Sequence, residues 1–161
     1  TEKIMKEYKE GEKPERRKRI LLTGCPSSGA PMKVVKAIEE HGGNVVVYEN
    51  CGGAKSVDRL IDEDAEDIYK AIAERYLAIG CSVMTPDNNR IELMGRLLEE
   101  YNIEGVVEMT LQACHTYNIE AKSIEKFVKS KGLPNIHVET DYSQADIGQL
   151  DTRIAAFLEM I

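Results

Sequence analysis

Arg17–Pro31, RKRILLTGCPSSGAP, decides how the rest of the chain is read. Ile20 to Thr23 form a short strand-like run, and a Gly/Pro/Ser loop follows at once. Beyond the loop, Met32, Val35 and Ile38 recur at helical spacing. Pro31 fits the first turn of that helix, where its missing N–H costs nothing. Strand, loop and helix make half of a βαβ unit, which requires a second strand. NVVVYEN, from Asn44, supplies it. It is a continuous β-branched run of the kind found in strands covered on both faces, and Gly42-Gly43 separates it from the helix.

The alternation continues toward the C-terminus. DEDAEDIYKAIAERYLAIG, residues 62–80, reads as a helix with acids in its first turn, where they complement the macrodipole. Ile68, Ala71, Ile72 and Ile79 would form its core face. CSVMTPDNN is a loop. RIELMGRLLEEYN is an amphipathic helix with Ile91, Met94, Leu97, Leu98 and Tyr101 on one side. GVVEMT is a third strand. A helix over 118–131 turns Ile124, Phe127 and Val128 inward and stops at Gly132. PNIHVET is a fourth strand, DYSQADIGQL a loop, and DTRIAAFLEMI a last helix with Ile154, Phe157 and Leu158 inward. Upstream, residues 2–10 read as helical, with Gly11 and Pro14 breaking the pattern.

Strands alternating with helices predict an open three-layer α/β domain, flavodoxin-like, with a four-stranded parallel sheet and right-handed crossovers. The expected strand order is 2-1-3-4. The 161 residues suffice for one domain with a real core. No stretch approaches the apolar length of a membrane span, and no secretion signal is visible, so a cytoplasmic protein without membrane association is expected. The first residue is Thr rather than Met, as in a piece of a longer protein or a processed product.

A formal net charge of −7 argues against a generic nucleic-acid binder. Residues 1–19 carry eight Lys/Arg against five Asp/Glu. These charges are interspersed, which reads as a solvated helix or linker rather than a nucleic-acid arm.

Cys25, Cys51, Cys81 and Cys114 are far apart in sequence, and no C-x-x-C pair exists, which disfavours zinc fingers and ribbons. Without a secretion signal, disulfides are not expected. In open α/β sheets, ligands gather beyond the carboxyl ends of the strands. Cys25 follows strand one, Cys51 strand two and Cys114 strand three, while Cys81 lies in the long crossover between strands two and three. Soft thiolates at such an edge suit an iron–sulfur cluster or zinc. The competing reading is that Cys25 and Cys81 are buried, inert thiols.

MTLQACHTYNIE, Met109–Glu120, places His115 beside Cys114. A Cys–His nucleophile is disfavoured there, because neighbours on a strand point to opposite faces. His115 reads better as the start of a helix or a donor to a ligand. His41 falls near a helix C-terminus and His137 inside a strand, and both read as structural. GCPSSGAP offers hydroxyls and a helix N-terminus for a phosphate, but it lacks G-x-G-x-x-G and the Lys of a P-loop. Glu139 and Asp141 could do acid–base work, although an Asp after a strand more often caps a turn.

RILLTGCP, VVVYENCGG, AERYLAIGCSVMTP, EMTLQACHTYNIE and ETDYSQADIGQLDTRIAAFLEM, in this order and spacing, resemble the C-terminal domain of the 2-hydroxyacyl-CoA dehydratase and benzoyl-CoA reductase family. ENCGG and ACHTYN are closest to its double-cubane cluster protein branch. The resemblance runs from Arg19 to the last residue. It implies that residues 19–161 are a flavodoxin-like iron–sulfur domain and residues 1–18 a helical linker from an N-terminal domain. It also implies that Cys114 is a thiolate ligand of a [4Fe-4S] or double-cubane cluster whose other family ligands lie in the preceding half.

Cys51 is the second candidate ligand, from its place at the same edge. The implied partners are the N-terminal domain, a homologous subunit, an ATP-dependent activator protein and an acyl-CoA or other small-molecule substrate. The implied activity is radical dehydration of a 2-hydroxyacyl-CoA with low-potential single electrons. Low-potential reduction of small molecules and non-redox CoA or phosphate binding are the alternatives. A single ligand cannot hold a cubane, so this stretch alone is expected to bind no cluster and to be inactive.

Overall fold

A computed structural model describes residues 1–11, 15–27, 29 and 32–161. Pro14, Pro31 and part of the GCPSSGAP loop, including Ser28, therefore lie outside the described residues. The elements run α1 (Glu2–Glu10), β1 (Lys18–Gly24), α2 (Met32–Glu40), β2 (Gly43–Glu49), α3 (Ala54–Val57), α4 (Ile68–Leu77), α5 (Asn88–Glu100), β3 (Gly105–Leu111), α6 (His115–Ser130), β4 (Asn135–Thr140) and α7 (Ile147–Glu159).

The sheet is four-stranded and parallel, ordered β2-β1-β3-β4. The expected flavodoxin-like α/β fold and its strand order are both present. Ile20, Leu21 and Leu22 of β1 and Val106 and Val107 of β3 are fully buried. A strand between two neighbours and beneath helices on both faces must be apolar almost throughout, and this is the pattern read in the sequence.

Two cores result, one on each face. Ile20, Leu22, Val107, Met109 and Val138 pack against Val34, Val35 and Ile38 of α2 and Leu150, Ile154, Phe157 and Leu158 of α7. Leu21, Val47 and Val106 pack against Leu93, Met94, Leu97 and Leu98 of α5 and Ile124 and Val128 of α6. Side-chain alternation along each strand divides its residues between these layers.

Several sequence expectations need correction. Residues 62–67 are not the first turn of a helix. Asp67 is the N-cap of α4, accepting from the Lys70 N–H at 3.1 Å, and the other acids precede it. The proposed core face of that helix also fails: α4 has no buried residue, and Ile68 is exposed. On α2, Met32 is exposed and the buried stripe begins at Val34. The helix expected at 118 begins at His115, and the last helix begins at Ile147, inside the stretch read as a loop. Among the described residues no helix is long and apolar enough to cross a membrane.

Candidate functional site at the carboxyl edge of the sheet

The parallel register sets a row of polar residues across the sheet. Thr23 of β1 lies opposite Glu49 of β2 on one side and Glu108 of β3 on the other, and Glu108 lies opposite His137 of β4. Two glutamates inside buried strands need compensation, because an unpaired charge is prohibitively costly there. Arg90, in the first turn of α5, supplies it. Its side chain is fully buried. Its Nε donates to Glu49 Oε2 at 3.3 Å, its Nη1 to Glu120 Oε2 at 2.7 Å, and its Nη2 to Thr23 Oγ1 at 2.9 Å and Glu108 Oε1 at 3.3 Å. The fixed fork of guanidinium suits this many-sided role better than an ammonium would.

Lys55, on the short α3, adds a second buried cation. Its Nζ lies 3.3 Å from Glu49 Oε1 and donates to the Tyr117 hydroxyl at 3.4 Å. The ring of Tyr117 faces both cations, its centroid 5.1 Å from the Arg90 guanidinium carbon and 5.6 Å from the Lys55 nitrogen. Burial pushes the Glu108 carboxyl up to about 7, outweighing the opposing pull of Arg90, and Glu49 and Glu120 push it further. Among the described residues its Oε2 has no hydrogen-bond partner.

Three of the four cysteines stand at the same edge. Cys25 is 2% exposed, one residue beyond β1. Its N–H donates to Met109 O at 2.8 Å, and its sulfur accepts the Leu111 N–H at 3.4 Å. Gly24 makes this approach possible. Its φ is +104°, and a Cβ there would sit 2.1 Å from Met109 O, so any other residue collides with β3. Cys114 is the N-cap of α6, with its N–H bonded to Leu111 O at 3.0 Å. Ala113 before it has φ +62°, a left-handed conformation that turns the chain from strand to helix.

Cys114 is partly buried and packs against the apolar cluster that contains Cys25. Burial pushes the Cys25 thiol up to about 11, with the Leu111 N–H opposing and Cys114 adding. For Cys114, partial burial favours the thiol. The N–H of Tyr117, the Thr116 hydroxyl at 3.6 Å and Cys25 favour the thiolate and prevail, so its pKa lies below the ordinary thiol value. Cys51 is exposed in the loop after β2; burial pushes the pKa of the Tyr117 hydroxyl up, and Cys51 adds to it. Of the two glycines in ENCGG, Gly53 is required sterically, since a Cβ there would lie 2.2 Å from Tyr48 O. Cys81 lies between α4 and α5, where its carbonyl accepts the Met84 N–H at 2.8 Å.

The remaining candidates disperse. His115 is exposed and opens α6. A ring nitrogen of His41 meets Asp151 at 2.8 Å. His137 shares a hydrogen bond with Thr110 Oγ1 at 2.8 Å. Glu139 accepts from Asn118 at 2.9 Å, while Asp141 accepts the Ser143 N–H at 2.7 Å and closes a turn. These two carboxylates thus have separate partners. In the loop after β1, Ser27 Oγ accepts from Asn50 Nδ2 at 3.1 Å, and Ser28 lies outside the described residues.

Thiolate is the ligand class for iron–sulfur groups, and the edge offers it in Cys114 and Cys51. Among the described residues, however, no group of three or more His, Cys, Asp or Glu side chains is arranged to hold a metal ion by itself. The donors fit such a cluster in kind and fall short in number.

Residues 1–161 match the family described as 2-hydroxyglutaryl-CoA dehydratase, D-component. The chain is 49% identical over 162 residues to the putative dehydratase subunit YjiM of Escherichia coli (strain K12), covering 100% of this chain and 42% of that protein. It is 22% identical over 161 residues to a benzoyl-CoA reductase subunit of Thauera aromatica, covering 94% of this chain and 36% of the relative. With the beta subunit of (R)-2-hydroxyglutaryl-CoA dehydratase of Acidaminococcus fermentans it shares 25% identity over 104 residues, covering 62% of this chain and 27% of that one. The chain spans less than half the length of each of these relatives.

Proposed function

The chain belongs to the 2-hydroxyglutaryl-CoA dehydratase D-component family, and on that premise we propose that residues 19–161 are the C-terminal iron–sulfur domain of a longer subunit. In this reading residues 1–18, with α1 at Glu2–Glu10, lead in from a preceding domain. The 42% coverage of the Escherichia coli relative supports a longer whole.

Cys114 is then one thiolate ligand of a [4Fe-4S] or double-cubane cluster, and Cys51 a second donor from the same edge. Further cysteines come from the preceding domain. The observation that carries this reading is the setting of Cys114. It is a partly exposed thiol at a helix N-terminus, beyond the strand ends, with its thiolate favoured. Bound there, the cluster supplies single electrons at low potential.

The contribution of this chain is to hold the sulfurs still. Gly24 fixes the chain turn before Cys25, and Ala113 the turn before Cys114. Tyr117, buried behind this edge, rests on the buried cations Arg90 and Lys55. A rigid ionic base behind the thiols keeps their geometry constant as charge arrives. The reaction is dehydration of a 2-hydroxyacyl-CoA, with electrons delivered by an ATP-dependent activator in the cytoplasm. The relatives are named as subunits, which supports a homologous partner subunit.

The test is to reconstitute the full-length protein anaerobically with iron and sulfide and supply a low-potential one-electron donor and 2-hydroxyacyl-CoA thioesters. Formation of the unsaturated acyl-CoA is the expected outcome. A protein that binds the thioester tightly, takes up no iron and turns nothing over is a non-redox binding module instead.

A further inference from the structure

We propose that Cys25 and Cys114 form a reversible disulfide, a modification site for hydroperoxides, whenever Cys114 is not engaged as a metal ligand. Four observations carry this. The residues leave adjacent parallel strands and are held to the same short piece of backbone: Cys25 to Met109 and Leu111, Cys114 to Leu111. Cys114 packs against the buried cluster that contains Cys25. The turns that bring them together are conformationally special on both sides, with φ +104° at Gly24 and φ +62° at Ala113. Their exposures are unequal, Cys25 being 2% exposed and Cys114 partly open. An oxidant therefore meets Cys114 first, and Cys25 is the thiol within reach to resolve the product. Cys51 follows β2, which β1 separates from β3, and Cys81 belongs to the segment between α4 and α5.

The chemistry balances with a hydroperoxide as the only co-reactant. The Cys114 sulfur attacks the peroxide oxygen, an S–O bond forms, the O–O bond breaks, and an alcohol or water leaves. The Cys25 sulfur then displaces the hydroxyl from that sulfenic acid. The S–S bond forms, and the Cys25 proton leaves with the hydroxyl as water. Two thiols have lost two electrons and two protons, and the peroxide has been reduced. A thiol reductant restores both by attacking the exposed Cys114 sulfur. The disulfide itself does not depend on the proposed cluster, but one consequence does: a bridged Cys114 is lost as a ligand, so the bridge and the cluster exclude each other. It also shields Cys114 from irreversible over-oxidation while no metal is bound.

The experiment uses full-length protein stripped of metal by an anaerobic chelator, treated with hydrogen peroxide, alkylated and digested without reductant. The expected result is a cross-linked Cys25–Cys114 peptide that disappears with dithiothreitol. Cys51→Ser and Cys81→Ser retain it. Cys25→Ser, checked for folding by circular dichroism, instead accumulates Cys114 sulfenic and sulfinic acid trapped by dimedone and mass. Wild-type protein in which Cys25 stays fully alkylatable after oxidation and denaturation, or in which Cys114 is bridged to another cysteine, overturns the inference whatever the variant does. Repeating the oxidation on iron-loaded protein separates the two proposals. A bridge that forms equally fast with iron bound contradicts Cys114 as a ligand and leaves the disulfide standing.

Discussion

Arg90 Nη2 lies 3.3 Å from Glu108 Oε1 inside the fold, while the other oxygen of that carboxyl has no hydrogen-bond partner among the described residues. One cation thus serves Glu49, Glu108 and Glu120 from three elements. Removing it strands charges that cannot reach water. Arg90→Met is expected to destabilise the protein by roughly 3–5 kcal/mol, the cost typical of breaking a buried ion pair from one side. Arg90→Lys should recover only part of this, because an ammonium cannot donate along all these directions. Urea midpoints of the three proteins at pH 7.5 or so provide the check.

Glu108 gives stability a definite pH dependence. Burial is the main cause of its rise from 4.5 to about 7. A carboxyl with a raised folded pKa binds its proton more tightly in the fold than in the unfolded chain. Its stabilisation is therefore full below 4.5 and is lost as pH rises to about 7. The change is on the order of a few kcal/mol. Asp146 titrates in the opposite sense and lower. Its burial is outweighed by hydrogen bonds from Lys33 and Thr140, so its contribution is lost as pH falls below 3.8. Glu108→Gln should flatten the fall in urea midpoint between pH 4.5 and 7 and leave the acid limb unchanged. An unchanged slope in the variant would show that Glu108 is ionised throughout.

The two special backbone positions should respond in opposite directions. Gly24→Ala places a methyl 2.1 Å from Met109 O at φ +104°. It should cost more than the roughly 1–3 kcal/mol of the dihedral alone. Ala113→Gly relieves a left-handed alanine and should be neutral or stabilising by up to about 1 kcal/mol. Thermal or urea unfolding of both variants tests the pair, and a destabilised Ala113→Gly would count against the strand-to-helix turn described here.

The architecture was legible in the sequence because it is periodic. Continuous apolar runs at Ile20–Leu22 and Val45–Val47 announced covered strands, and the order of strands and helices followed. The ion cluster was not read, although Glu49 and Glu108 sit at the ends of apolar runs and Arg90 opens an amphipathic helix. A glutamate in a buried strand signals that a cation must be near, but 41 and 18 residues separate the partners. Only the folded register selects Arg90. Cys25 was similarly ambiguous, because its sequence neighbours do not reveal Cys114. α4 has an apolar pattern as well, yet none of its residues is buried.

Thiol reactivity should separate the four cysteines. In metal-free reduced protein, Cys114 should be alkylated at lower pH than an ordinary thiol, because the N–H of Tyr117 and the Thr116 hydroxyl outweigh its partial burial. Cys25, buried and pushed up to about 11, should label only after unfolding. Rates of iodoacetamide labelling between pH 6 and 9 or so, read peptide by peptide, provide the test. Equal rates at Cys25 and Cys114 would mean that the edge is not packed as described.

The function proposed for this domain turns on Cys114 as a ligand of an iron–sulfur cluster in the full-length protein. It is tested most directly by counting iron and acid-labile sulfide after anaerobic reconstitution of wild type, Cys114→Ala and Cys81→Ala, each verified as folded. Cys114→Ala should lose most of the bound iron, with the Cys81→Ala control retaining more. Iron content in Cys114→Ala equal to that of wild type would contradict it.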